Sequence, residues 1–205
     1  MTLSYGVKKK ESVTMTDTNI TRAYIIAGGR SSRFGRDKSL YEFNGKPMIM
    51  HVYDALSPVF QEISIIADEG DKYSIPGVKV YPDIIPGLGP IGGVYSALCN
   101  CENGRAFVVP CDMPFLNSSL IAYMASIPPQ YDVIVPMLDG HYQPLHAIYS
   151  TSCIKPIKQL IDAGKGKLID FYNNAEIRVI GEDEITFYDD PYKVFRNINY
   201  TDDLH

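Results

Sequence analysis

The chain has 205 residues and a formal net charge of −5, with 45% hydrophobic and 21% charged residues. That length fits one domain with a real core, the balance is globular rather than disordered, and no apolar run approaches the roughly 18 residues of a membrane span. The acidic balance argues against a nucleic-acid partner, so an anionic ligand has to be held by a local basic pocket.

The opening stretch MTLSYGVKKKESVTMTDTN sets Lys8-Lys9-Lys10 ahead of polar residues. A signal peptide needs an apolar core there, so the cytoplasm is the default location. Residues 1–20 read as a flexible tail that cannot bury enough surface to offset its ordering entropy, leaving 21–205 as a single domain. AYIIA at 23–27 is the first expected strand and runs directly into Gly28-Gly29. A helical pattern begins at Pro47, a residue suited to a first turn, with Met48, His51, Val52, Ala55 and Leu56 on one face. Strands are expected at 63–67 and 78–81, then a helix at 91–98 after a Gly/Pro loop. The unbroken apolar run at 106–109 suits a strand at a sheet's buried centre. A helix at 117–127, strands at 133–135 and 143–149, helices at 151–162 and 167–173, and a strand at 176–180 complete the order. Such alternation predicts an α/β fold, a three-layer Rossmann-like sandwich with a mainly parallel central sheet. Loops 28–38, 82–92, 110–116 and 136–143 then converge at the carboxyl ends of the strands.

Four cysteines are present, Cys99, Cys101, Cys111 and Cys153. The C-x-C pair lies in an expected helix, where i and i+2 do not share a face, and no second pair supplies zinc-ligand spacing. All four read as buried free thiols.

Chemistry concentrates in two loops. Behind Gly28-Gly29 stand Arg30, Arg33, Arg36 and Lys38. Glycines let a ligand approach the main chain, and amides in such a turn, with Arg33 and Lys38, make a pocket for a pyrophosphate. A turn with solvated charges is the other reading. It is not a P-loop, because Gly35 is followed by Arg36 where that motif needs a lysine. GLGPIG at 87–92 satisfies G-x-G-x-x-G by letter, but PDIIP precedes it where the dinucleotide fingerprint needs a buried strand. GPIGG still offers free amides at a helix N-terminus. The second loop, AFVVPCDMPFL at 106–116, presents Asp112 between Pro110 and Pro114, which stiffen the turn. A carboxylate there can hold Mg²⁺, which prefers oxygen ligands and shares them with nucleotide phosphates; the alternative is a helix cap or turn former. His51 is expected to face its helix's core. His141 and His146 are placed near the crevice, His146 either touching substrate or structural.

IIAGGRSSRFGRDKSL, FNGKPMI, GPIGG, VPCDMPFL, QPLHAIY and FRNINYTDDL occur in this order. Together they resemble the molybdenum cofactor guanylyltransferases, within the nucleotidyltransferases of the nucleotide-diphospho-sugar transferase type, over residues 22 to 205. The resemblance implies a reaction: GTP and molybdopterin, with or without molybdenum, give the guanine dinucleotide form and pyrophosphate, with Mg²⁺ as cofactor. It implies nucleotide contacts from Ile26, Ala27, Gly28, Gly29, Asp83, Gly89 and Gly92. Arg33 and Lys38 match triphosphate-binding cations, Asp112 the metal ligand, Asn197 and Asn199 a pair on the pterin side. Lys165 and Lys167 lie in a segment that is basic on that same side. An asparagine that helps select guanine aligns with Ile66, which leaves base choice open, with Asp68 nearby as a substitute. The same loops would suit a cytidylyltransferase acting on the same pterin, and a non-catalytic carrier is the reading from a different class. Molybdenum-insertion and accessory GTP-binding proteins are partners by analogy; nucleic acid and membrane are not.

Overall fold

The computed structural model describes residues 20, 22–27, 38–68, 73, 75–102 and 104–198. Expectations for Gly28, Gly29, Arg30, Arg33, Arg36 and Asn199, for the Lys38 side chain and for residues 1–19 lie outside these. Ile20, assigned to the tail, is only 1% exposed and belongs to the core.

In chain order the elements are β1 (Arg22–Ile26), β2 (Glu42–Phe43), β3 (Lys46–Pro47), α1 (Met48–Leu56), β4 (Glu62–Ile66), β5 (Lys79–Tyr81) and α2 (Pro90–Cys99). There follow β6 (Arg105–Pro110), α3 (Ser118–Ser126), β7 (Val133–Leu138), β8 (His141–Tyr142), β9 (Ala147–Ser150) and α4 (Ile154–Asp162). Last come β10 (Ile177–Ile180), α5 (Glu182–Thr186) and α6 (Pro191–Val194). The main sheet runs β10-β7-β9-β6-β1-β4-β5, with β8 paired to β7. β1 is parallel to both β4 and β6, β4 to β5, and β7 to β10, whereas β9 lies antiparallel between β6 and β7. The mainly parallel sheet is therefore as expected.

Burial explains the arrangement. Every residue of β6 is buried, because helices cover both faces of the central strands. One face packs against α1, α3, α5 and α6 through residues such as Val52, Leu56, Leu120, Met124, Ile185 and Val194. The opposite face takes α2, α4 and the 3₁₀ turn Leu168–Asn174, through Val94, Leu98, Ile157, Leu168 and Phe171. Asn117 caps α3, its side chain accepting from the amides of Ser119 and Leu120 at 2.9 and 3.0 Å, which satisfies two donors the helix cannot.

α2 approaches β1 closely enough that a Cβ on Gly93 would sit 2.6 Å from Cγ2 of Ile26. Gly93→Ala should therefore lower stability by roughly 1–3 kcal/mol, the usual cost of overpacking a buried contact. A chemical denaturation midpoint measures this, and an unchanged midpoint would show that helix and strand can slide apart freely.

Several expectations shift. The strand expected at 143–149 begins at Ala147, because the Gln143 amide donates to Pro136 O and the His146 amide to Gln143 O, turning 143–146 back on itself. The segment expected as a helix at 167–173 is a 3₁₀ turn, and another 3₁₀ turn, Thr151–Cys153, precedes α4. Cys99 is exposed while Cys101, Cys111 and Cys153 are buried; all four are free thiols. α2 ends at Cys99, so Cys101 lies beyond the helix expected to hold both. His51 is half-buried and its Nε2 lies 2.7 Å from Phe43 O. A carbonyl only accepts, so that nitrogen carries the proton and His51 fastens the β2–β3 hairpin to α1 rather than filling the core.

Candidate active site

Parallel strands deliver their carboxyl ends to one edge of the sheet, and the register brings β1 and β6 there side by side. Ile26 pairs with Pro110, and the next amide, that of Cys111, donates to Ile26 O at 3.0 Å. The Ala27 amide donates to Ile66 O at 2.9 Å. Ile26 and Ala27 are thus fixed at the sheet's edge with these groups already engaged, and the Ile26 side chain packs beneath α2. Residue 112 follows at once on β6. Asp112 is half-buried with its Oδ1 inaccessible, and its carbonyl accepts the Ile198 amide at 2.9 Å.

The loop after β5 is built around Ser96 of α2. The Ile84 amide donates to Ser96 Oγ, whose own proton is directed at Asp83 Oδ1 and at Gly92 O, each contact 2.9 Å. Ser96 is buried and Asp83 partly so, and this burial, opposed by the serine hydrogen bond and reinforced by Asp68, holds the Asp83 carboxyl above its usual range. Asp83 thus anchors its loop to α2. Gly89 takes φ +65° as the N-cap of α2, a left-handed conformation that favours glycine, and Pro90 opens the helix. A Cβ on Gly92 would lie 3.0 Å from Leu88 Cβ, so Gly92 also has a packing reason to be small.

The structure therefore gathers Ile26, Ala27, Asp112, Gly89 and Gly92 around the carboxyl ends of β1 and β6 and the start of α2. Asn197 is exposed in the segment Phe195–Ile198, which Ile198 ties to Asp112. Ile66 is 0% exposed and packed in the core. Lys165 and Lys167 stand apart on the exposed turn after α4. Lys165, but not Lys167, lines a cleft of about 530 Å³ with Tyr142, Ile169, Asp170, Tyr172, Asn173 and Ile177. His146 is buried and touches no solvent, which settles it as a core residue. Ser96, Phe195 and Ile198 were not singled out from the sequence; each acts through a contact that closes only in three dimensions.

Residues 23–177 match the family described as the MobA-like NTP transferase domain. A chain of Pelotomaculum thermopropionicum named "Probable molybdenum cofactor guanylyltransferase" is 39% identical over 180 residues, 88% of each chain. One of the same name from Natranaerobius thermophilus is 33% identical over 196 residues, 93% of this chain and 95% of its own. Among solved structures, molybdopterin-guanine dinucleotide biosynthesis protein A of Archaeoglobus fulgidus superposes with a TM-score of 0.76 at 24% identity, covering 90% of this chain and 95% of that one. A protein of Aquifex aeolicus VF5 gives 0.74 at 26% identity, over 91% and 97%.

Proposed function

The chain belongs to the MobA-like NTP transferase family, and from that premise we propose that it is a molybdenum cofactor guanylyltransferase. It transfers GMP from GTP to the terminal phosphate of molybdopterin and releases pyrophosphate. The observation that carries this reading is identity spread over nearly the whole chain with relatives named for that activity. The placement of Asp112 in the turn that directly follows β6, whose end is paired to β1, supports it.

The chemistry asks little of the protein. An oxygen of the acceptor's phosphate bonds to the α-phosphorus of GTP while the bond to the departing pyrophosphate breaks. A phosphate monoester is largely ionised near neutrality, so no general base is needed. What remains is alignment and charge neutralisation. Arg33 and Lys38 supply cations to the triphosphate, and the amides at the start of α2 supply oriented dipoles. Gly28 and Gly29 let the nucleotide approach the backbone, and Asp83 holds the loop that closes one side.

Among the described residues no three His, Cys, Asp or Glu form a metal cage. Mg²⁺ does not ask for one, because it keeps several waters and takes one or two carboxylates beside substrate phosphates. Asp112 fits that role, with its backbone fixed at the edge of the buried strand. When bound, the ion would neutralise charge on the phosphates. Asn197, Asn199, Lys165 and Lys167 are the residues we assign to binding the acceptor. Molybdenum-insertion and accessory GTP-binding proteins are natural exchange partners by family analogy. No helix among the described residues is long and apolar enough to cross a membrane.

The test is a pyrophosphate-release assay with molybdopterin and Mg²⁺ in which GTP, CTP, ATP and UTP compete. Selective turnover of GTP supports the reading; selective turnover of CTP replaces guanine by cytosine. In the same assay Lys165→Glu with Lys167→Glu should raise the apparent KM for molybdopterin about thirtyfold and leave that for GTP alone, since two cations near a phosphate contribute on the order of 2 kcal/mol together. Equal losses on both substrates would remove these lysines from the acceptor side.

A further inference from the structure

His146 is 0% exposed, and neither ring nitrogen has a hydrogen-bond partner among the described residues. A buried polar group without a partner costs free energy, and an apolar side chain of similar volume would avoid that cost. Stability therefore does not account for a histidine here. Its surroundings do. The imidazole stands edge-to-face with Phe107, centroids 5.1 Å apart at 88°, and with Phe195, 5.0 Å apart at 84°. Phe107 lies in β6, the strand that ends in Asp112. Phe195 begins the strap Phe195–Ile198, which carries Asn197. At the strap's far end the Ile198 amide donates to Asp112 O, and the Ile198 side chain is buried among Phe43, Met48 and Phe115. One end of the strap is thus linked through His146 to the middle of β6, and the other is bonded to the turn that follows β6.

We propose that His146 is a positioning residue that acts through Phe195 to hold this strap, and with it Asn197, against the Asp112 turn. Perpendicular aromatic contacts are directional, because the positive edge of one ring meets the negative face of another. A leucine would fill the volume without fixing the rotation of Phe195. For its effect on substrate the proposal rests on the guanylyltransferase reading; for its effect on the strap it does not.

The test compares His146→Leu, His146→Phe, Phe195→Leu and the double variant His146→Leu/Phe195→Leu in the full chain, each checked for melting temperature. Amide hydrogen exchange is followed at Ile198 and across β1 and β6. His146→Leu should speed exchange at Ile198 about tenfold, the value of one aromatic pair, and leave β1 and β6 as in the wild type. It should raise KM for molybdopterin and not for GTP. His146→Phe, which keeps the perpendicular ring, should restore both readouts, and the double variant should be no worse than either single one. Unchanged exchange at Ile198 in His146→Leu, or losses that multiply in the double variant, would overturn the proposal. Exchange that responds in a protein with no guanylyl transfer supports the positioning role and sinks the functional reading instead.

Discussion

Asp112→Asn should cut turnover with GTP and molybdopterin by two to three orders of magnitude while the protein keeps its fold. That is the scale on which removal of one preorganised electrostatic group acts at a reacting centre. Asparagine preserves the shape of the side chain and leaves the backbone contacts intact, so the Cys111 amide still donates to Ile26 O and Asp112 O still accepts from Ile198. What goes is the negative charge, the property a divalent cation needs. Steady-state rates at saturating Mg²⁺, with a melting curve for each protein, check the prediction. Raising Mg²⁺ should recover part of the loss if the carboxylate binds the ion. A variant that turns over at the wild-type rate would take Asp112 out of the site altogether.

The second large effect is on stability and comes from His146. Complete burial among aromatic rings pulls its imidazole down to about 3, from an ordinary value near 6.5. Above pH 6.5 the imidazole is neutral whether the chain is folded or not, and pH has no leverage through it. Below that the unfolded chain binds a proton that the folded chain refuses. Folding stability is then lost as the pH falls, at about 1.4 kcal/mol per pH unit, until the folded imidazole protonates near pH 3. Between pH 7 and pH 5 the loss is about 2 kcal/mol, a large share of the 5–15 kcal/mol that holds an ordinary domain together. His146→Phe removes this contribution and should flatten the decline over that interval. Glu184 and Asp189, whose carboxyls are held below their usual range, add acid sensitivity further down, and Asp83, raised, opposes it. These are common to both proteins and cancel in the comparison. Urea midpoints at pH 7 and pH 5 decide it: an equal drop in both proteins would mean that another group carries the acid sensitivity.

Much of the fold could be read from patterning. AFVV at 106–109 is apolar without alternation, as a strand covered on both faces must be, and it became the central β6. Pro47 marked the start of α1, and α2 begins at Pro90, one residue before the expected start at 91. Two hairpins were legible and went unread. Asn44-Gly45 joins β2 to β3 and Asp139-Gly140 joins β7 to β8, all four residues with positive φ, the arrangement Asn-Gly and Asp-Gly favour in tight turns. The short α5 and α6 carry too few turns to show a period. The strand at 143–149 was read too early because QPLHAIY is apolar enough for a strand throughout, and only the bonds of Gln143 and His146 show that its first half turns.

The sequence by itself determined the order of the main sheet's long strands and of the first four helices, the mainly parallel sheet and the position of Asp112 at a strand's carboxyl end. These follow from hydrophobic period, proline and glycine, which act over a few residues and are written locally. Tertiary structure alone decided that Ser96 holds Asp83, that Ile66 is sealed in the core, and that His146 meets Phe107 and Phe195. It alone decided that Ile198 closes on Asp112. Each of these joins residues far apart in the chain, and a contact of that kind has no local pattern, because it exists only once the intervening chain has packed.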